Sequence, residues 1–122
     1  MATIELDHMI VPSRDKERAA RFFARILGLT YAGPSGPFVA VRVGDALTFD
    51  FDEREAPFEP LHYAFRVGAG EFDAILARVR AEGIPYGSAP WSRADGRLSN
   101  DGGGRRFYFE DPDGHVLEAF TT

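Results

Sequence analysis

Apolar and polar residues set a strand-like rhythm over "TIELDHMIV", and the rhythm then changes. In "SRDKERAARFFARILG" the apolar positions Ala19, Phe22, Phe23, Ile26 and Leu27 recur at three- and four-residue spacing, which is one face of a helix. Ser13 is placed to cap its start and Gly28 its end. Two strands follow, "FVAVRV" and "ALTFDF", joined by a turn at Gly44-Asp45. The order then restarts. "PLHYAFRV" reads as a strand and "GEFDAILARVRAEG" as a helix with Phe72, Ile75, Leu76 and Val79 inward. "RRFYFE" and "HVLEAF" close the half around an Asp-Pro-Asp-Gly turn.

This restart is an internal duplication. His8 falls on His62 at an offset of 54, and Gly28-Leu-Thr-Tyr31 falls on Gly83-Ile-Pro-Tyr86 at 55. Leu47 falls on Leu117 at 70, so about fifteen extra residues sit in the second half, largely within 88–104. That stretch, "SAPWSRADGRLSNDGGG", reads as a long Gly- and Ser-rich loop that either faces a substrate or is merely mobile.

Side chains two apart along a strand share a face. Leu47, Phe49 and Phe51 therefore pack under the first helix, leaving Ala46, Thr48 and Asp50 opposite. Leu117 and Ala119 pack under the second, leaving Val116, Glu118 and Phe120 opposite. With helices outside, two curved sheets form a shared cup and Glu118 points into it. A carboxylate in an otherwise buried strand calls for a cation or a cavity. The cup also receives His8 and His62, which hold equivalent places in the repeat, whereas the place equivalent to Glu118 is Thr48. Two imidazoles and one carboxylate form a metal-ligating set that leaves coordination positions open. The competing reading is that both histidines are hydrogen-bonded structural residues. His115, on the other strand face, is expected to be structural.

Size and charge narrow the setting. The 122 residues, 44% hydrophobic with 11 Phe, suit one domain, 1–122, with modules at about 1–55 and 58–122. A formal charge of −5 with dispersed basic residues offers no footprint for nucleic acid or an anionic membrane. The absence of cysteine removes disulfides, zinc-thiolate sites and thiol nucleophiles. With no signal-like N-terminus and no long apolar run, a cytoplasmic protein is expected.

"LDHMIV" with its helix and "ILGL", "HYAFRV" with its helix and "EGI", and "RRFYFEDPDGHVLEAF" together resemble the vicinal oxygen chelate superfamily of glyoxalases, extradiol dioxygenases, and fosfomycin- and bleomycin-resistance proteins. The resemblance spans almost the whole chain. It implies an α+β fold of two tandem β-α-β-β-β modules and a homodimer, with modules paired within one chain or exchanged between two. It also implies a divalent metal ion (Fe, Mn, Zn or Ni) on His8, His62 and Glu118 that chelates two adjacent oxygens of a small-molecule substrate.

The resemblance leaves the subfamily open. A glyoxalase would use a fourth ligand at Thr48, or at Asp50 if the register slips by two, and a hydroxyl is a poor ligand. Tyr108 matches a substrate-contacting tyrosine of the fosfomycin enzymes, yet Ile10 stands where their glutathione-using members have Thr, and the chain ends at Thr122 before their basic tail segment. Extradiol enzymes carry a His and a Tyr as acid and base, and only Tyr108 could serve so here. Asp50 and Glu110 are candidate bases or solvated strand ends. Arg66 shares the His62 face and could hold an anionic substrate or a neighbouring carboxylate, and Trp91 and Phe120 could wall the cavity. Dioxygenase, lyase and epoxide-opening chemistries are all compatible. The alternative is a metal-free, ligand-sequestering protein of the bleomycin-resistance type.

Overall fold

A computed structural model describes residues 4–122. Thr3, where the predicted first strand begins, lies outside the described residues. The chain divides into two compact units, one ending at Phe58 and the other beginning at Glu59. The first unit contains β1 (His8–Ser13), α1 (Lys16–Leu27), β2 (Thr30–Ser35), β3 (Phe38–Val43) and β4 (Leu47–Glu53). Its sheet runs β1-β4-β3-β2, with β1 parallel to β4 and the other pairs antiparallel. The second unit repeats the plan with β5 (His62–Arg66), α2 (Ala69–Ala81), β6 (Tyr86–Gly87), β7 (Arg106–Glu110) and β8 (Val116–Phe120), in the order β5-β8-β7-β6. The fold is thus α+β, two β-α-β-β-β modules. Among the described residues, no helix is long and apolar enough to cross a membrane.

Each helix buries its apolar stripe on its own sheet. The Phe23 ring meets Phe51 edge-on at 4.9 Å and Phe49 at 6.0 Å, and Phe72 of α2 meets Phe107 of β7 at 5.3 Å. Helix α1 stops at Gly28, whose φ of 73° is left-handed and suits a residue without Cβ. Its cap differs from the expectation: Asp15, not Ser13, accepts from the Arg18 amide at 3.0 Å. Ser13 is still inside β1, and its hydroxyl donates to the Asp52 carbonyl at 2.6 Å, tying β1 to β4.

Strand register corrects the alignment of the halves. His8 pairs with Thr48 and Ile10 with Asp50, while His62 pairs with Val116 and Ala64 with Glu118. Counted from the matched histidines, the counterpart of Glu118 is Asp50, not Thr48. Matching Leu47 to Leu117 slipped the strand by two, and a two-residue slip keeps every side chain on its face, so alternation alone could not reveal it.

The Asp-Pro-Asp-Gly turn is built around Asp111, whose Oδ1 accepts from the Asp113 amide at 3.0 Å and the His115 amide at 2.7 Å. His115 is buried, and its Nδ1 accepts from the Leu61 amide at 2.9 Å, a structural role. The 88–104 segment is organised rather than slack. Asp95 accepts from the Ser88 amide and hydroxyl and from the Arg97 amide, and Ser99 bridges to Arg106.

Candidate functional site

Three rows of residues cross the sheet of the second unit on the face away from α2. His62, Val116 and Glu110 form one, Ala64, Glu118 and Tyr108 the next, and Arg66, Phe120 and Arg106 the third. Glu118 is only 6% exposed, and it keeps its charge company on both oxygens. His62 Nε2 lies 3.0 Å from Oε1, and the Arg106 guanidinium donates to Oε2. The Arg106 guanidinium also lies over the Phe120 ring, 4.7 Å from its centroid. Burial works against the Arg106 charge, but the Tyr108 hydroxyl and Glu118 outweigh it and hold its pKa above the usual arginine value. Tyr108 is 7% exposed, and its ring stands edge-on to His62 at 6.1 Å.

On the corresponding face of the first unit lie His8, Thr48 and Arg42 in one row and Ile10, Asp50 and Ala40 in the next. His8 is exposed, and its Nδ1 lies 2.9 Å from the Asp7 carboxylate, whose hydrogen bond raises the imidazole pKa, with a smaller contribution from Asp50. Thr48 is engaged by Arg42, which donates to its hydroxyl at 2.6 Å.

Of the residues expected from sequence, the structure joins His62 directly to Glu118 and sets Tyr108 beside them. Arg66 shares the face one row away, and His8 and Asp50 share a face of the first unit. Among the described residues, no three His, Cys, Asp or Glu side chains are gathered as a set that could hold an ion. Glu110 pairs with Arg93 at 3.1 Å, and Trp91, though 87% exposed, lines an open pocket with these two residues, Ile84 and Pro85. Sequence reasoning passed over Arg106 and Asp7. Alternation in "RRFYFE" already put Arg106 on the Tyr108 face, and Asp7 adjoins the histidine it orients.

The profile of the glyoxalase/bleomycin resistance protein/dioxygenase superfamily matches residues 5–119. The chain belongs to this superfamily. Among solved structures, the superfamily member shares 40% identity with "Oxidase ChaP-H2", at a TM-score of 0.95 over 99% of this chain and 95% of that one. It shares 43% with "Oxidase ChaP-H1", at 0.94 over 98% and 97%. It is also 29% identical over 119 residues to glutathione transferase FosA of Serratia marcescens, covering 93% of this chain and 77% of that protein.

Proposed function

We propose that the chain is a divalent-metal-dependent enzyme of oxidative type, acting with dioxygen on a small molecule that presents two adjacent oxygens. Its likeness at 40% and 43% identity, over nearly full length, to two proteins described as oxidases carries this reading. The metal ligands are His8, His62 and Glu118. Their chemistry fits. Ligands about 2.1 Å from one ion and at right angles to each other lie about 3 Å apart, and His62 Nε2 and Glu118 Oε1 are 3.0 Å apart. A ligating histidine commonly holds its other ring nitrogen on a carboxylate, and His8 holds Nδ1 on Asp7, leaving Nε2 for the ion.

When bound, the ion supplies Lewis-acid polarisation of the substrate oxygens. The chain's own residues do the rest. Tyr108, beside His62 on the Glu118 row, exchanges a proton with the substrate. Asp50, the counterpart of Glu118 in the first unit, is the candidate base. Arg66 attracts an acidic substrate group, and the functional particle is a homodimer.

The test is oxygen uptake by Fe(II)- and Mn(II)-loaded protein over a panel of catechols, hydroquinones and 2-oxoaldehydes. Substrate-dependent uptake, abolished in His62→Ala and Glu118→Ala, is expected. Glutathione addition to fosfomycin without oxygen uptake would instead favour a transferase, the reading that the FosA likeness prompts. Tight ligand binding without metal or turnover would favour the sequestering alternative.

A further inference from the structure

The row next to Glu118 holds two arginines on either side of an aromatic ring. Arg66 and Arg106 both pair with Phe120, from β5 and β7 respectively, so they flank it on one face of the sheet. Adjacent strands lie about 4.8 Å apart, which places the two backbones about 10 Å apart, a span that long guanidinium side chains can close over one ligand group. Arg106 is already fixed: one nitrogen is on Glu118, its plane lies over Phe120, and its Nε is buried with no hydrogen-bond partner. Arg66 is exposed, and no ion pair engages it among the described residues.

The charges do not balance. Glu110, the other carboxylate on this face, is held by Arg93 two rows away. Glu118 is therefore the carboxylate beside this row of two arginines, and Arg106 already pairs with it, on a chain whose formal charge is −5. A divalent cation on His62 and Glu118 would widen the local surplus of positive charge, which an acidic ligand group would offset.

We propose that Arg66 and Arg106 form a clamp for an acidic group, and that the substrate is an aromatic acid. Where its chelating oxygens sit rests on the metal reading above; the clamp itself does not. Glu118 and Phe120 are two residues apart, about 7 Å along the strand, comparable to the span across a benzene ring from one substituent to the opposite one. An arginine fork matches a carboxylate in geometry and stacks on aromatic faces, which a lysine does not do.

The experiment titrates the full chain, metal-free and Mn(II)-loaded, with 3,4-dihydroxybenzoate and with its neutral counterpart 3,4-dihydroxybenzyl alcohol, by calorimetry. The acid should bind at least about tenfold more tightly than the alcohol, the worth of one hydrogen bond to a charged group. Arg66→Gln, an exposed position that does not touch Glu118, should cut that preference to about a third or less while leaving Mn(II) stoichiometry unchanged. Arg106→Lys keeps the charge but loses the fork, and should weaken the acid more than the alcohol. A preference that persists in metal-free protein upholds the clamp even if no ion binds and the metal reading fails. Stoichiometric Mn(II) binding with equal affinity for acid and alcohol would overturn the clamp and leave the metal reading standing. An acid preference unchanged in Arg66→Gln would overturn it as well.

Discussion

Replacing Asp111 by Asn should change how stability depends on pH. The Asp111 carboxyl is 5% exposed, accepts two backbone amides on Oδ1, and has no hydrogen-bond partner on Oδ2. Burial pushes its pKa from 3.8 up to about 6, outweighing the opposing pull of His115 and the amides. Because the folded value lies above the unfolded one, the neutral group's contribution is complete below about pH 4 and is lost as pH rises through about 6. At 1.36 kcal/mol per pKa unit, a rise of that size amounts to about 3 kcal/mol. Asp111→Asn keeps an oxygen for the two amides and cannot ionise. Its constant cost, from burying an amide nitrogen beside the turn, cancels when the difference between variant and wild type is followed against pH. Urea unfolding by circular dichroism at about pH 4 and about pH 7.5 should show that difference moving in the variant's favour by about 3 kcal/mol. Parallel profiles for the two proteins would refute the reasoning.

Three further perturbations address the scaffold. Phe23→Ala removes the ring packed between Phe49 and Phe51 and should cost about 3–5 kcal/mol in urea unfolding; a loss below about 1 kcal/mol would mean that this core is slack. His115→Ala leaves the Leu61 amide without its acceptor and opens a cavity, so a loss of about 3 kcal/mol is expected with the same assay. Gly87→Ala would drive a Cβ into the Ser92 carbonyl and to 2.8 Å from the Ala94 nitrogen. It should loosen the 88–104 segment, read as faster proteolytic cleavage there; a cleavage rate like that of wild type would contradict the close approach.

Elements with strong periodicity were legible before the structure. Both helices, β3 and the closing strands stand where apolar spacing put them, because burial against one layer fixes that spacing. Strand β2 was not legible. It carries Gly33 and Pro34, which weaken a strand signal, and it is tolerated because it lies at the sheet edge. The cap at Asp15 was missed because Ser13 and Asp15 are both good caps and only the length of β1 decides between them. Around the candidate site, the face of Glu118 followed from alternation and the place of His62 from the repeat, while Tyr108 was singled out only by the family resemblance. The Asp50 counterpart and the Arg106 contact followed from none of these, since register and long side-chain reach are set by neighbouring strands rather than by local sequence.

The central claim is that His8, His62 and Glu118 serve a divalent ion. Metal content by elemental analysis, on untagged protein dialysed against Fe(II), Mn(II), Zn(II) or Ni(II), tests it most directly, with His8→Ala, His62→Ala and Glu118→Ala measured alongside. The account predicts about one ion per chain in the wild type and its loss in each variant with folding retained. Wild-type protein that holds no ion under any of these conditions, or variants that hold it as well as wild type, would contradict it.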